Sequence, residues 1–165
     1  MRSAVIVSVR EAAPVVDRWR ELTCNAKPSL GVPPHITLLF PFVPITQAVI
    51  SDLQSLFAPV APFTIVLRKL ERFPGVAYLA PDPAAPFAGL TAELVRRYPD
   101  HRPYGGESFP VVPHLTIAQG KDEVLDRAEA AVARSLPITA NVVEAQLLEE
   151  GVPWRVRARF PFNGP

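Results

Sequence analysis

Two short stretches of the same form decide the fold: Pro34-His35-Ile36-Thr37-Leu38 and Pro113-His114-Leu115-Thr116-Ile117. Each places a histidine and a threonine two positions apart within an apolar run. Residues i and i+2 of a strand point to the same face of a sheet. Each stretch therefore predicts a strand with an imidazole and a hydroxyl on one face and aliphatic side chains on the other. Polar groups on such a face require solvent or a ligand.

The two stretches occupy matching places in an internal repeat. In each half, the His-x-Thr strand precedes a helical pattern, a strand that begins Pro-x-Thr at Pro62 or Pro137, a turn and a further strand. The two repeat units span about residues 33–80 and 112–162. Such a duplication predicts two lobes related by an approximate two-fold axis, with the histidines facing each other across a groove. A coincidence of ordinary helix and strand patterns is the alternative.

The hydrophobic periodicity predicts four helices among short strands. We expect helices over residues 14–25, 47–57, 87–98 and 122–135. We expect strands over residues 4–9, 35–42, 63–70, 76–80, 111–119, 138–149 and 154–162. The twenty prolines fall mostly between these segments, so they mark the ends of many short elements.

Length and composition predict one globular domain over residues 1–165. A formal net charge of +1 excludes a large basic field for long duplex nucleic acid, but it is compatible with a small anion or a strand end. The only cysteine, Cys24, cannot form an internal disulfide, which favours a reducing compartment, the cytoplasm. The apolar run at residues 4–9 is too short for a signal peptide or a membrane span. We expect a monomer that does not associate with membranes.

Two imidazoles and two hydroxyls around one groove suit a phosphate group. Histidine titrates near neutral pH, so one ring can accept a proton while the other donates one. Threonine hydroxyls can hydrogen-bond the non-bridging phosphate oxygens, where charge is held in the transition state. No metal is required for this chemistry, and no further cluster of cysteine, histidine or carboxylate accompanies the two histidines. A two-histidine metal site and a pair of packed core histidines are the weaker alternatives.

On these residues the chain resembles the two-histidine phosphoesterase superfamily, in its 2'-5' RNA ligase-like and cyclic phosphodiesterase branch. The run His35–Phe42 (HITLLFPF) and the segment Pro103-Tyr104-Gly105-Gly106 extend the resemblance. It implies a bilobal α+β fold, with two antiparallel sheets lining a central groove and helices outside. It also implies that His35 and His114 are catalytic and that Thr37 and Thr116 bind phosphate. We expect no cofactor.

Further side chains are candidates for substrate contact. Phe42 could line the groove and Tyr104 could stack on a base, although either ring could instead serve packing within the protein. Arg155, Arg157 and Arg159 alternate with apolar residues, which predicts one basic face on the last strand. That face is either solvated or a wall of the groove that attracts phosphates.

The predicted function is that of a metal-independent phosphoesterase acting on nucleotide or RNA-end phosphates. Either a 2',3'-cyclic phosphodiesterase or a 2'-5' RNA ligase-like activity fits, and the assignment of acid and base stays open. A module that binds a nucleotide or RNA end without turnover is the alternative on the same fold, and a structural protein with an inherited fold is a third. Binding alone needs no proton shuttle, so the two histidines favour the enzyme.

Overall fold

The computed structural model describes residues 1–101 and 111–165, and within them eight strands form two antiparallel sheets. The strands are β1 Ser3–Ser8, β2 His35–Phe42, β3 Phe63–Phe73, β4 Val76–Asp82, β5 Leu115–Gln119, β6 Ile138–Val142, β7 Glu144–Glu149 and β8 Arg155–Pro161. The helices are α1 Ala13–Thr23, α2 Gln47–Phe57, α3 Ala85–Arg97 and α4 Asp122–Ala133. Sheet I has the order β2-β1-β7-β8, and sheet II has the order β5-β4-β3-β6.

Both His-x-Thr motifs belong to edge strands. β2 is the edge of sheet I, β5 is the edge of sheet II, and the two strands lie against each other. Helix α1, which follows β1, packs on β5, whereas α3, which follows β4, packs on β2. The two sheets are therefore covered in equivalent ways, and the bilobal α+β architecture with two antiparallel sheets is confirmed.

A single hydrophobic core joins the two sheets. Ile36 and Leu38 of β2 contribute to it, as do Leu115 and Ile117 of β5, and all four side chains are buried. The residues between them, Thr37 and Thr116, are only partly buried. The predicted alternation of aliphatic and polar faces is therefore confirmed in both motifs.

A β-bulge interrupts β2 just after its motif. Thr37 is the partner of Ile6 but Leu39 is the partner of Val5, so Leu38 is an extra residue on β2. The Thr91 hydroxyl of α3 donates a buried hydrogen bond of 2.7 Å to the Leu38 carbonyl. Because a bulge shifts the alternation by one residue, Leu39 and Phe40 exchange faces, and a second register shift before Phe42 reverses the exchange.

The prediction of a single strand over residues 138–149 is wrong. The structure divides it into β6, in sheet II, and β7, in sheet I, with Val143 51% exposed between them. No glycine or proline marks this break, so the local sequence reads as one continuous strand. Strand β5 also begins later than predicted, at Leu115, which leaves His114 directly before it. No helix among the described residues is long and apolar enough to cross a membrane.

Candidate active site

The two histidines come together where the edges of the two sheets meet. His35 is the first residue of β2, and His114 immediately precedes β5. The charge of His114 is one of the causes that lower the pKa of His35, so the two rings are near enough to interact electrostatically. The structure therefore brings together the two imidazoles of the duplicated motif.

Both rings are held by the same local hydrogen bond. His35 Nδ1 lies 2.8 Å from the Pro33 carbonyl oxygen, and His114 Nδ1 lies 2.7 Å from the Val112 carbonyl oxygen. A carbonyl can only accept, so in each ring Nδ1 carries the hydrogen and donates it. Nε2 is therefore the nitrogen that takes up and releases the second proton. In both motifs, the carbonyl two residues before the histidine fixes the tautomer of its imidazole.

Burial makes His35 a weak base for an imidazole. Desolvation lowers the pKa of His35 to about 4, and the hydrogen bond to Pro33 only partly opposes this shift. Arg20, itself 2% exposed, adds to the lowering through its positive charge. Its guanidinium bonds the Asp17 carboxylate and the carbonyls of Ala26 and Val32. The His35 ring is therefore neutral at pH 7.

Aromatic rings support His114. The rings of Phe73 and Tyr78 meet the His114 ring edge-on, with centroids 5.1 and 5.5 Å away, and they stack on each other at 4.4 Å. The Tyr78 hydroxyl donates a 3.1 Å hydrogen bond to the Glu71 carboxylate. Desolvation also lowers the pKa of His114. Sequence reasoning missed Phe73 and Tyr78, because a ring that supports a histidine from a neighbouring strand leaves no local pattern.

Thr37 and Thr116 lie on the open faces of their strands. Thr37 shares its face with His35, and Thr116 lies opposite Tyr78, whose ring contacts His114. Neither threonine hydroxyl makes a hydrogen bond with any other residue that the structure describes. Both hydroxyls are thus uncommitted donors at the histidine site.

The two aromatic candidates have different outcomes. Phe42 lies in the core, 5% exposed, with its ring 4.9 Å from the ring of Tyr98, so the structure does not bring it to the groove. The bulge instead turns Phe40 to the face that carries His35, where it packs beside Trp154 at 6.3 Å. Tyr104 falls among residues 102–110, outside the described part of the chain.

Comparison with known families identifies the chain. The sequence profile of the 2'-5' RNA ligase superfamily matches residues 8–153 of the 165. The chain belongs to this superfamily. Its membership confirms the resemblance and supports a phosphoesterase-like activity. No curated protein gives a significant match.

Solved structures of other proteins share the fold of this chain. E. coli LigT complexed with 3'-AMP has a TM-score of 0.61 at 17% identity, covering 98% of this chain and 97% of that chain. LigT complexed with NADP+ has a TM-score of 0.57 at 18% identity, covering 98% and 96%. The Thermus thermophilus protein TT0787 has a TM-score of 0.58 at 20% identity, covering 99% of each chain. At these identities the likeness shows the fold alone.

The prediction of one basic face on the last strand is wrong. A register shift between Leu147 and Leu148 makes Arg159 the partner of Gln146 but Arg155 the partner of Glu149. Gln146 and Glu149 are three residues apart, so the two arginines lie on opposite faces of sheet I. Arg157 forms an ion pair with Glu149. Arg159 alone of the three lines a cavity on the groove face.

The described residues of this superfamily member contain no cluster suited to a metal. Among residues 1–101 and 111–165, no group of three or more histidine, cysteine, aspartate or glutamate side chains could hold an ion. The donors gathered at the site are two imidazoles and two hydroxyls. Such a set can transfer protons and hydrogen-bond an anion.

Proposed function

We propose that the protein is a metal-independent phosphoesterase acting on nucleotide or RNA-end phosphates, as a 2',3'-cyclic phosphodiesterase or a 2'-5' RNA ligase-like enzyme. His35 and His114 act as its acid and base, and Thr37 and Thr116 bind the phosphate. The meeting of the two His-x-Thr edges, each with its imidazole held through Nδ1, carries the proposal. This arrangement presents two proton-transferring nitrogens to one anion.

Proton transfer follows from the state of the rings. A neutral imidazole whose Nδ1–H is bound to a carbonyl has its lone pair on Nε2, so it can take a proton from water or a ribose hydroxyl. The other ring must be protonated, so that it can donate a proton to the leaving oxygen. An incoming phosphate raises the pKa of both imidazoles by stabilising their charged forms. Substrate binding therefore provides the protonation that burial opposes in the free protein.

The threonines and the nearby aromatic rings suit the rest of a nucleotide. The hydroxyls of Thr37 and Thr116 donate to the non-bridging oxygens as negative charge builds up there. Phe40 and Trp154, on the same face of sheet I as Thr37, offer an apolar wall for a base. The fold relative E. coli LigT has structures complexed with 3'-AMP, NADP+ and ATP, which supports a nucleotide as the ligand of this chain.

The test replaces each histidine by alanine. We expect His35→Ala and His114→Ala each to lower kcat for nucleoside 2',3'-cyclic phosphates by at least about a hundredfold, the usual contribution of a general acid or base. His101→Ala is the matched control, because His101 has no threonine two positions later, and it should retain activity. Addition of EDTA should leave the wild-type rate unchanged.

Two outcomes would reject the proposal. Wild-type rates in both single variants would remove the histidines from the reaction. Saturable binding of cyclic-phosphate nucleotides with no product formed would assign the fold to a binding module instead. Circular dichroism of each variant separates a loss of chemistry from a loss of folding.

The cellular setting is part of the same proposal. Cys24 is the only cysteine and is buried as a free thiol, which suits the reducing cytoplasm. We propose that the protein works there as a monomer. Size-exclusion chromatography with light scattering tests the oligomeric state.

A further inference from the structure

Arg20 is a buried charged side chain that the proposed chemistry does not use. It lies in the last turn of α1 and is 2% exposed, although arginine is almost never fully buried unless it is paired. One guanidinium nitrogen, Nη1, donates to the Asp17 carboxylate at 2.8 Å. The other, Nη2, donates to two backbone carbonyls, those of Ala26 at 2.8 Å and Val32 at 2.9 Å. Both carbonyls belong to the segment that connects α1 to β2.

The bond to Val32 lies three residues before His35. Val32 is 4% exposed and is followed by Pro33 and Pro34, whose rings fix φ and leave this stretch little freedom. The Pro33 carbonyl accepts the Nδ1 hydrogen of His35, and the Pro34 carbonyl accepts the backbone N–H of Val9 at 2.7 Å. The carbonyl that holds the imidazole is thus anchored on both sides, by the guanidinium through Val32 and by Val9 through Pro34.

Helix α1 also contacts the strand of the second motif. It packs on β5, and near its end the Thr23 hydroxyl accepts the backbone N–H of Gln119, the last residue of β5, at 3.1 Å. The Gln119 side chain in turn accepts the backbone N–H of Asn25 at 2.9 Å. Arg20 therefore connects the segment before His35 to a helix that is bound to the other histidine strand.

The second motif has no such anchor in the described part of the chain. Val111 lies three residues before His114, yet it is 43% exposed. No side chain among residues 1–101 and 111–165 donates a hydrogen bond to the Val111 carbonyl. Within these residues, a buried cation therefore anchors the support of the first imidazole but not that of the second.

We propose that Arg20 is a positioning residue, which holds the Pro33 carbonyl in place and so fixes the tautomer and the orientation of the His35 ring. This inference rests on the proposed function, in which His35 Nε2 transfers a proton. Arg20 acts through the backbone alone and touches neither substrate nor reacting atoms. Without it, the Val32 carbonyl loses its donor, the Pro33 carbonyl moves, and the hydrogen of the neutral ring can lie on either nitrogen. A ring with its hydrogen on Nε2 has no lone pair there to accept a proton.

Nitrogen-15 NMR of the histidine rings at pH 8 tests this inference without requiring turnover. In the wild type we expect both His35 and His114 to carry their hydrogen on Nδ1. Arg20→Met keeps an unbranched stem but has no donor, so it should produce a mixture of tautomers at His35. The His114 ring, which is held by Val112, is the internal control and should not change. A general loss of structure would alter both rings.

The kinetics of nucleoside 2',3'-cyclic phosphate hydrolysis give a second readout. Arg20→Met should lower kcat by about tenfold to a hundredfold, as for the misplacement of a reacting group. KM should stay near the wild-type value, because Thr37 and Thr116 can still bind the phosphate. Arg20→Lys keeps the positive charge, but its nitrogen falls one bond short of Nη2, so it should change the tautomer and kcat less, in the same direction. Where Arg20→Met does not fold, Arg20→Lys provides the test.

Glu21→Ala is the matched control. Glu21 adjoins Arg20 on α1, and its carboxylate accepts the backbone N–H of Ser29 at 2.9 Å, so it anchors the same connection farther from His35. Its loss releases Ser29 but leaves the bonds to Ala26 and Val32 intact. The His35 tautomer and kcat should therefore remain as in the wild type.

The outcomes distinguish this inference from the proposed function. Wild-type tautomer and kcat in Arg20→Met, or in Arg20→Lys where only that variant folds, would overturn the inference, as would an equal change in Glu21→Ala. A His35 tautomer that depends on Arg20, with no phosphodiester turned over by the wild type, would retain the positioning role and reject the enzyme. Loss of activity in His35→Ala with wild-type kcat in the Arg20 variants would retain the enzyme and reject the positioning role.

Discussion

His35 and His114 share one local geometry but have different surroundings. Each ring donates its Nδ1 hydrogen to the carbonyl two residues earlier. His35 is desolvated near the buried cation of Arg20, whereas His114 meets the rings of Phe73 and Tyr78. The shared hydrogen bond sets which nitrogen reacts, and the different surroundings set how readily each ring becomes charged.

The lowered pKa of His35 predicts a loss of stability in mild acid. The folded-state pKa is about 4 and the ordinary value is 6.5, so the unfolded chain binds more protons between these pH values. The contribution of neutral His35 to the free energy of unfolding is fully present above about pH 6.5 and decreases as the pH falls towards 4. The loss approaches about 3 kcal/mol, because one pKa unit corresponds to about 1.4 kcal/mol.

Urea unfolding at pH 7 and pH 4.5 measures this effect. The free energy of unfolding should fall more between the two pH values in the wild type than in His35→Gln, which lacks the titrating ring. The comparison cancels the carboxylates, which titrate in both proteins. An equal pH dependence in the two proteins would contradict the shift, as would an NMR titration of the His35 ring with a midpoint near 6.5.

At the scale of elements, the bulge in β2 determines which aromatic ring reaches the groove. The extra residue, Leu38, moves Leu39 to the core face and Phe40 to the face of His35. Thr91 stabilises the bulge from α3, since its hydroxyl satisfies the Leu38 carbonyl at 2.7 Å. One buried hydrogen bond thus connects the packing of a helix to the shape of the proposed nucleotide site.

Replacing Thr91 by valine tests this connection. Valine keeps the shape of threonine but leaves the Leu38 carbonyl without its partner, which costs about 1–3 kcal/mol for a buried polar group. Urea denaturation should show that decrease in the free energy of unfolding. Thr91→Ser keeps the hydroxyl and should lose less. A Thr91→Val protein as stable as the wild type would show that the bulge does not depend on this bond.

The same elements show what the sequence could and could not predict. The alternation in each His-x-Thr motif depends only on neighbouring residues, so the polar and buried faces of β2 and β5 followed from the sequence. The exposure of Phe40 on the groove face did not follow, because it depends on two register irregularities in β2, one of which involves a helix distant in the chain.

At the scale of the molecule, each sheet combines strands from both halves of the sequence. The β7–β8 hairpin near the C-terminus completes the sheet that begins with β1 and β2, and β5 and β6 flank the β3–β4 hairpin. One core contains buried residues of both sheets, and a smaller cluster of Ala4, Ile6 and Leu148 lies on the other face of sheet I. We propose on this basis that residues 1–165 form a single folding domain, because neither half can complete a sheet alone.

The two tryptophans make this proposal measurable. Trp154 packs beside Phe40 on sheet I, whereas Trp19 lies on α1, which packs on β5 of sheet II. In Trp19→Phe the fluorescence therefore reports on sheet I, and in Trp154→Phe it reports on the packing of α1 against sheet II. Because interlocked sheets lose their shared core together, both signals should change in one urea transition, coincident with the circular dichroism of the same variant.

A fluorescence midpoint that departs from the circular dichroism midpoint would mean that the two sheets unfold independently. The histidine site between them could then open without global unfolding.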